Sequence, residues 1–99
     1  MSLAISFHRA ANSEFIEASA WYEEKRAGLG AEFITEVESC LSVAAEYPMR
    51  YTVVYKEIRR IAVNKFPYNI YFRVETRRIV VLAVFHSRRN PSIWKSRVL

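Results

Sequence analysis

Leu3, Ile5 and Phe7 alternate with the small residues Ala4 and Ser6, a period of two that predicts a short, half-buried strand. The period then lengthens. Phe15, Ala18 and Tyr22 recur at helical spacing, with Ile16 and Trp21 widening the apolar face and Glu23, Glu24, Lys25 and Arg26 marking a solvated end. Asn12 or Ser13 is expected to cap this helix by accepting hydrogen bonds from its free first-turn N–H groups, and Glu14 and Glu17 suit the positive end of its dipole. Gly28-Leu29-Gly30 breaks it, because glycine accepts the positive φ angles of a helix exit. A second helix is expected from about Ala31 to Glu46, where Phe33, Val37, Leu41 and Ala44 form a stripe with Ile34 and Cys40 beside it. Tyr47-Pro48 stops it, since proline disfavours helix in its predecessor. The short connection predicts an antiparallel helical hairpin.

Beyond a loop through Met49–Val54, β-branched and aromatic residues dominate three segments, 58–64, 68–74 and 78–85. Lys65-Phe66-Pro67 joins the first two, and Glu75-Thr76-Arg77 joins the last two as a tight hairpin. Phe66 and Tyr68, either side of Pro67, are expected to pack on opposite faces of the sheet. Ile79 to Phe85 is apolar on both faces, which predicts a central strand covered by the helices on one side. The order β-α-α-β-β-β describes an α+β fold, a small, mainly antiparallel sheet with an N-terminal helical hairpin packed on one face.

Composition adds bounds. The 99 residues, 52% hydrophobic, fit one domain spanning 1–99, short of the roughly 150 residues that suggest a second. A chain of this size buries roughly 60–65% of the surface exposed on unfolding, enough for one core without disulfides or metal. The single Cys40 is expected to be core packing and points to a reducing compartment. The N-terminal residues lack a basic region followed by an apolar run, and no segment approaches the ~20 apolar residues of a membrane span. A cytoplasmic protein with no membrane partner is the expectation.

Charge is divided between the halves. Residues 1–50 carry four Lys/Arg against eight Glu, net −4, and residues 51–99 carry eleven against Glu57 and Glu75, net +9. Such a field favours an anionic partner, an acidic protein segment or a nucleic acid. His8 and His86 are the only histidines and there is no aspartate, so neither a metal site nor a cofactor is expected. No phosphate-cradling glycine loop and no nucleophile elbow is present. Eight of the ten Glu lie in the helical half, where solvated helix faces explain most of them.

Arg59 and Arg60 open one strand and Arg88 and Arg89 follow the last, so antiparallel pairing could gather four guanidinium forks suited to carboxylates or phosphates. The plainer reading is that they solvate strand ends. His86 has a side chain able to transfer protons near neutral pH, and the plainer alternative is a hydrogen bond to loop backbone. Trp94 could stack on a base or fold back to cap the core. Its indole cannot act as a general acid or base.

The segments Ala18-Ser-Ala-Trp-Tyr-Glu23, Gly28-Leu-Gly-Ala-Glu-Phe33, Tyr47-Pro48, Ile58-Arg-Arg60, Lys65-Phe-Pro-Tyr68 and Ala83-Val-Phe-His-Ser-Arg-Arg-Asn-Pro91, with Trp94 and Arg97, form an ordered set. Together they resemble the RelE/ParE superfamily of bacterial type II toxins, also called plasmid-stabilisation proteins, and cover nearly the whole chain. The resemblance implies a toxin neutralised by a cognate antitoxin, whose disordered C-terminal segment wraps it by adding helix and strand. The RelE-like branch cleaves mRNA on the ribosome, and the ParE-like branch poisons DNA gyrase.

Cleaving RNA through its own 2′-hydroxyl needs a base, an acid and cations for the phosphate. The RelE-like roles fall on Arg60, Ala62, Asn69, Arg88 and Trp94, and only Arg60 and Arg88 keep the chemistry. Loss of three roles favours a ParE-like toxin that acts by binding gyrase. The alternative is a ribosome-dependent endoribonuclease using His86, Arg88, Arg60 and Glu57, with His86 and Glu57 as a rebuilt acid/base pair. A non-toxic relic that still binds an antitoxin is the third reading. The binding surface for target or antitoxin is expected to use Arg59, Arg60, Lys65, Tyr68, Arg88, Arg89, Trp94 and Arg97. The antitoxin segment should be acidic and amphipathic, to neutralise the +9 half. The toxin is expected to form a homodimer or a hetero-oligomer with that antitoxin.

Overall fold

The N-terminal alternation produces β1, Ala4–Phe7, in a computed structural model that describes residues 2–98. Strand passes into helix without a loop: His8 N–H donates to Val81 O at 2.8 Å, and His8 Nδ1 accepts from Ala10 N–H at 3.1 Å. The imidazole therefore caps α1, Arg9–Lys25, several residues ahead of the expected Asn12 or Ser13. This earlier start moves Glu14 and Glu17 out of the first turn and away from the dipole role. Ala11, Ala18 and Tyr22 are buried, whereas Ile16 and Trp21 are 57% and 52% exposed. At roughly 100° per residue neither falls on the buried stripe, so the apolar face is narrower than expected.

Two glycines close the hairpin for different reasons. Gly28 holds φ at 87°, and Glu23 accepts from the N–H groups of Gly28 and Gly30 at 2.9 and 3.0 Å. Gly30 lies inside α2, Leu29–Glu46, where a Cβ would sit 2.6 Å from Ser19 O in α1. Gly30→Ala must push the helices apart and is expected to cost about 1–3 kcal/mol in urea unfolding.

A 3₁₀ turn, Pro48–Arg50, leads to β2 (Val53–Tyr55), β3 (Ile58–Ala62), β4 (Tyr68–Val74), β5 (Arg78–His86) and a short α3 (Ser92–Lys95). The sheet order is β1-β5-β4-β3-β2, with β1 parallel to β5 and the other pairs antiparallel. The helical hairpin packs against this sheet, as the α+β reading anticipates. Strand β2 begins inside the segment expected to be loop and ends one residue beyond it, so four strands follow the helices. Its three residues are too few to show a period, and it pairs through the turn at Lys56, where φ is 50°.

Apolar side chains cover both faces of β5. Ile79, Val81 and Val84 join the core under the helices, with Phe33, Val37, Leu41, Ile61, Ile70 and Phe72. Val80, Leu82, Ala83 and Phe85 join a second cluster with Ile58, Tyr71 and Trp94. Trp94 is 1% exposed, stacked on Tyr71 at 4.2 Å and edge-on to Tyr55 at 5.9 Å, so it folds back as a core cap. Phe66 and Tyr68 do not straddle the sheet. Both meet Phe33, at 5.1 Å each, and Tyr22, at 4.8 and 6.1 Å, because the loop at Phe66 curls back beneath the helices. Cys40 packs against the same core, and burial pushes its thiol up.

Candidate binding site at the end of the central strand

A register shift in β5 creates the site. Tyr71 pairs with Ala83 and Phe72 with Val81, so Leu82 is an extra residue and the pleat changes phase there. Before the shift, the carbonyls of Arg77 and Val81 face β1, taking N–H groups from Ala4 and His8. After it, Leu82 O and Val84 N–H face the same side, where β1 has already ended.

Two side chains take the place of the missing strand. Glu14 Oε1 accepts from Val84 N–H at 3.1 Å, and Arg97 Nη1 donates to Leu82 O at 2.8 Å. The two are clamped by Arg97 Nη1 to Glu14 Oε1 at 3.1 Å and Arg97 Nη2 to Glu14 Oε2 at 2.6 Å. Glu14 is 9% and Arg97 12% exposed, so this bidentate pair is largely desolvated. It joins α1, β5 and the segment after α3. Arg97 is thus structural, with its guanidinium committed within the chain. The sequence does not single out Glu14 for this role, because 83 positions separate it from Arg97 and no spacing rule spans such a gap.

Beside this clasp, a cleft of about 490 Å³ opens between α1 and the ends of β4 and β5. Glu17, Ala18, Trp21 and Tyr22 form one wall, and Pro67, Tyr68, Val84, His86 and Arg89 the other. His86 Nδ1 accepts from Arg88 N–H at 3.1 Å, the loop-backbone bond anticipated, which puts the neutral ring's proton on Nε2. The His86 and Tyr68 rings meet edge to face at 5.4 Å. Burial pushes the Tyr68 hydroxyl above the usual tyrosine range, with the Arg89 charge opposing, so it stays a neutral donor. Arg89 lies over Phe85 at 4.1 Å and reaches Glu14 at 3.4 Å, with its side chain 44% exposed.

The other candidates are dispersed. Arg59 donates to Tyr51 O at 2.6 Å and to Met49 Sδ at 3.2 Å, Lys65 lies 3.7 Å from Glu36, and Arg60 and Arg88 are exposed. The four-arginine cluster does not form. Arg59 pairs with Phe72, which pairs with Val81, and Arg60 with Tyr71, which pairs with Ala83, so β3 runs parallel to β5 and Arg59-Arg60 lie level with the middle of β5, short of Arg88-Arg89 beyond its end. The same register holds His86 and Glu57 apart. Glu57 precedes Ile58 at the start of β3, whereas His86 pairs with Tyr68, on the order of 15–20 Å along the strands. By alternation Arg60 shares the Ile58 and Tyr71 face, and His86 the helix-covered face of Val84 and Tyr68. Among the described residues no group of three His, Cys, Asp or Glu could hold a metal, and no helix is long and apolar enough to cross a membrane.

The chain is similar in fold to a solved structure titled "Chromosomal ParDE TA system from P. aeruginosa". It superposes with a TM-score of 0.74 over 86% of this chain and 96% of that one, at 11% identity. That likeness establishes the fold. The family model described as "ParE toxin of type II toxin-antitoxin system, parDE" matches residues 5–91, and this chain belongs to that family. No curated protein sequence matches it.

Proposed function

We propose that the chain arrests growth by binding DNA gyrase in the cytoplasm, without cutting a nucleic acid, and that a cognate antitoxin with an acidic, amphipathic segment neutralises it. Family membership supplies the toxin class. The choice of binding over cleavage is carried by one observation: His86, Glu57 and Arg60 are divided between opposite ends or faces of the sheet. Acid–base cleavage needs its groups within hydrogen-bond reach of one phosphate, whereas a binding surface does not. Arg88, Arg89, His86 and Tyr68 at the end of β5, and the exposed Arg60, supply contacts. Arg59 and Lys65 contribute what their intrachain partners leave free. Trp94 and Arg97 act by holding the scaffold.

Inducing the chain alone in growing cells tests this. Plasmid supercoiling is expected to fail before translation does. Translation failing first would favour the nuclease reading, and unimpeded growth would mark a relic. A neighbouring antitoxin with a basic toxin-binding tail would contradict the charge argument.

A further inference from the structure

The cleft between α1 and the end of β5 holds more donors than acceptors. Tyr68 Oη, His86 Nε2 and the Arg89 guanidinium come from one wall. Of the two lining carboxylates, Glu14 already takes Val84 N–H and both Arg97 nitrogens. Glu17, on the far wall, has no ion-pair partner among the described residues. Arg89 is the looser of the two arginines at Glu14, at 3.4 Å against 2.6 Å for Arg97. It can turn to a ligand while Arg97 keeps Glu14 neutralised. Between the donors and the exposed Trp21 ring the lining is Ala18, Pro67, Val84 and the ring of Tyr22, apolar but for the Tyr22 hydroxyl.

From this geometry we infer that the cleft binds an apolar or aromatic group carrying one carboxylate, presented by a peptide segment of a partner. The carboxylate sits against Arg89, His86 and Tyr68, and the apolar body lies on Trp21, Ala18 and Pro67. A planar carboxylate matches the guanidinium fork. A phosphate, with about −1.5 to −2 charge at neutral pH, would meet only one available arginine and face Glu17. The antitoxin reading supplies only the origin of that peptide; the site stands on its own chemistry.

The test is a titration of the full ¹⁵N-labelled chain with 3-phenylpropionate, 3-phenylpropionamide, 2-phenylethylamine, phenyl phosphate and the blocked dipeptide acetyl-Phe-Glu-amide. The carboxylate is expected to bind about tenfold more tightly than the amide, as a charge-assisted fork requires. It should shift the Trp21 indole N–H and His86 while the buried Trp94 indole N–H stays in place. Arg89→Gln should remove that preference with the Trp94 signal unchanged, and Trp21→Ala should weaken both ligands. The dipeptide should bind at least as well as the free acid. Equal binding of acid and amide, a preference for the amine or the phosphate, or shifts confined to other surfaces would overturn the site. Binding of the free acid without the dipeptide would overturn the peptide assignment. Gyrase inhibition is scored separately: its absence beside intact probe binding would sink the toxin reading and leave the site.

Discussion

Glu14→Ala is expected to lower the unfolding free energy by about 3 kcal/mol, the lower end for breaking a buried ion pair, because Arg97 keeps a little solvent contact. The substitution strips Val84 N–H of its acceptor and leaves Arg97 charged beside Leu82 O without a counterion. Both effects act on the same edge, so they add to the lost attraction. Urea unfolding followed by fluorescence would measure it, and Arg97→Ala should give a similar loss. The double variant should be less destabilised than the sum of the singles by about 1–3 kcal/mol, the coupling of residues in direct contact. Losses below 0.5 kcal/mol would mean that the clasp behaves as a solvated surface pair.

The second large effect is expected at Trp94. Trp94→Ala should cost about 3–5 kcal/mol, since the indole fills the cluster of Ile58, Tyr71, Leu82 and Phe85 on the sheet face away from the helices. Trp94→Phe should cost about 1–2 kcal/mol. The smaller ring leaves a partial void, but Trp94 Nε1 is buried with no hydrogen-bond partner, and removing that donor offsets part of the loss. A loss well above about 2 kcal/mol in the phenylalanine variant would show that the void outweighs any relief from removing the orphan N–H. Near-UV circular dichroism separates local loosening of α3 from global unfolding.

Local periodicity carried most of the architecture. The stripe Phe33, Val37, Leu41, Ala44 lies in the core, and the two-sided apolar run Ile79–Phe85 became an interior strand covered on both faces. Terminal chemistry was harder to read. His8 caps α1 because its own N–H ends the pairing of β1 with β5, a tertiary fact that no capping rule contains. Strand β2 is too short to announce itself. For the site, the sequence points to His86, Arg89 and Tyr68, which do line one cleft, but not to its helical wall: periodicity puts Trp21 on the buried face, and position alone suits Glu14 to a helix dipole. The reason is the extra residue at Leu82, which reverses the strand's phase and turns Leu82 O and Val84 N–H toward Arg97 and Glu14. A one-residue shift is invisible in a run where every side chain is apolar. The imagined arginine cluster failed for a related reason: placing strand ends together needs the pairing order, and β3 and β5 are separated by β4 and run parallel.

The most direct test compares two reactions of the purified chain under one set of conditions, gyrase-catalysed supercoiling and cleavage of mRNA on ribosomes. Inhibited supercoiling with intact mRNA is the expected result. Cleaved mRNA with supercoiling untouched would contradict a toxin that acts by binding gyrase.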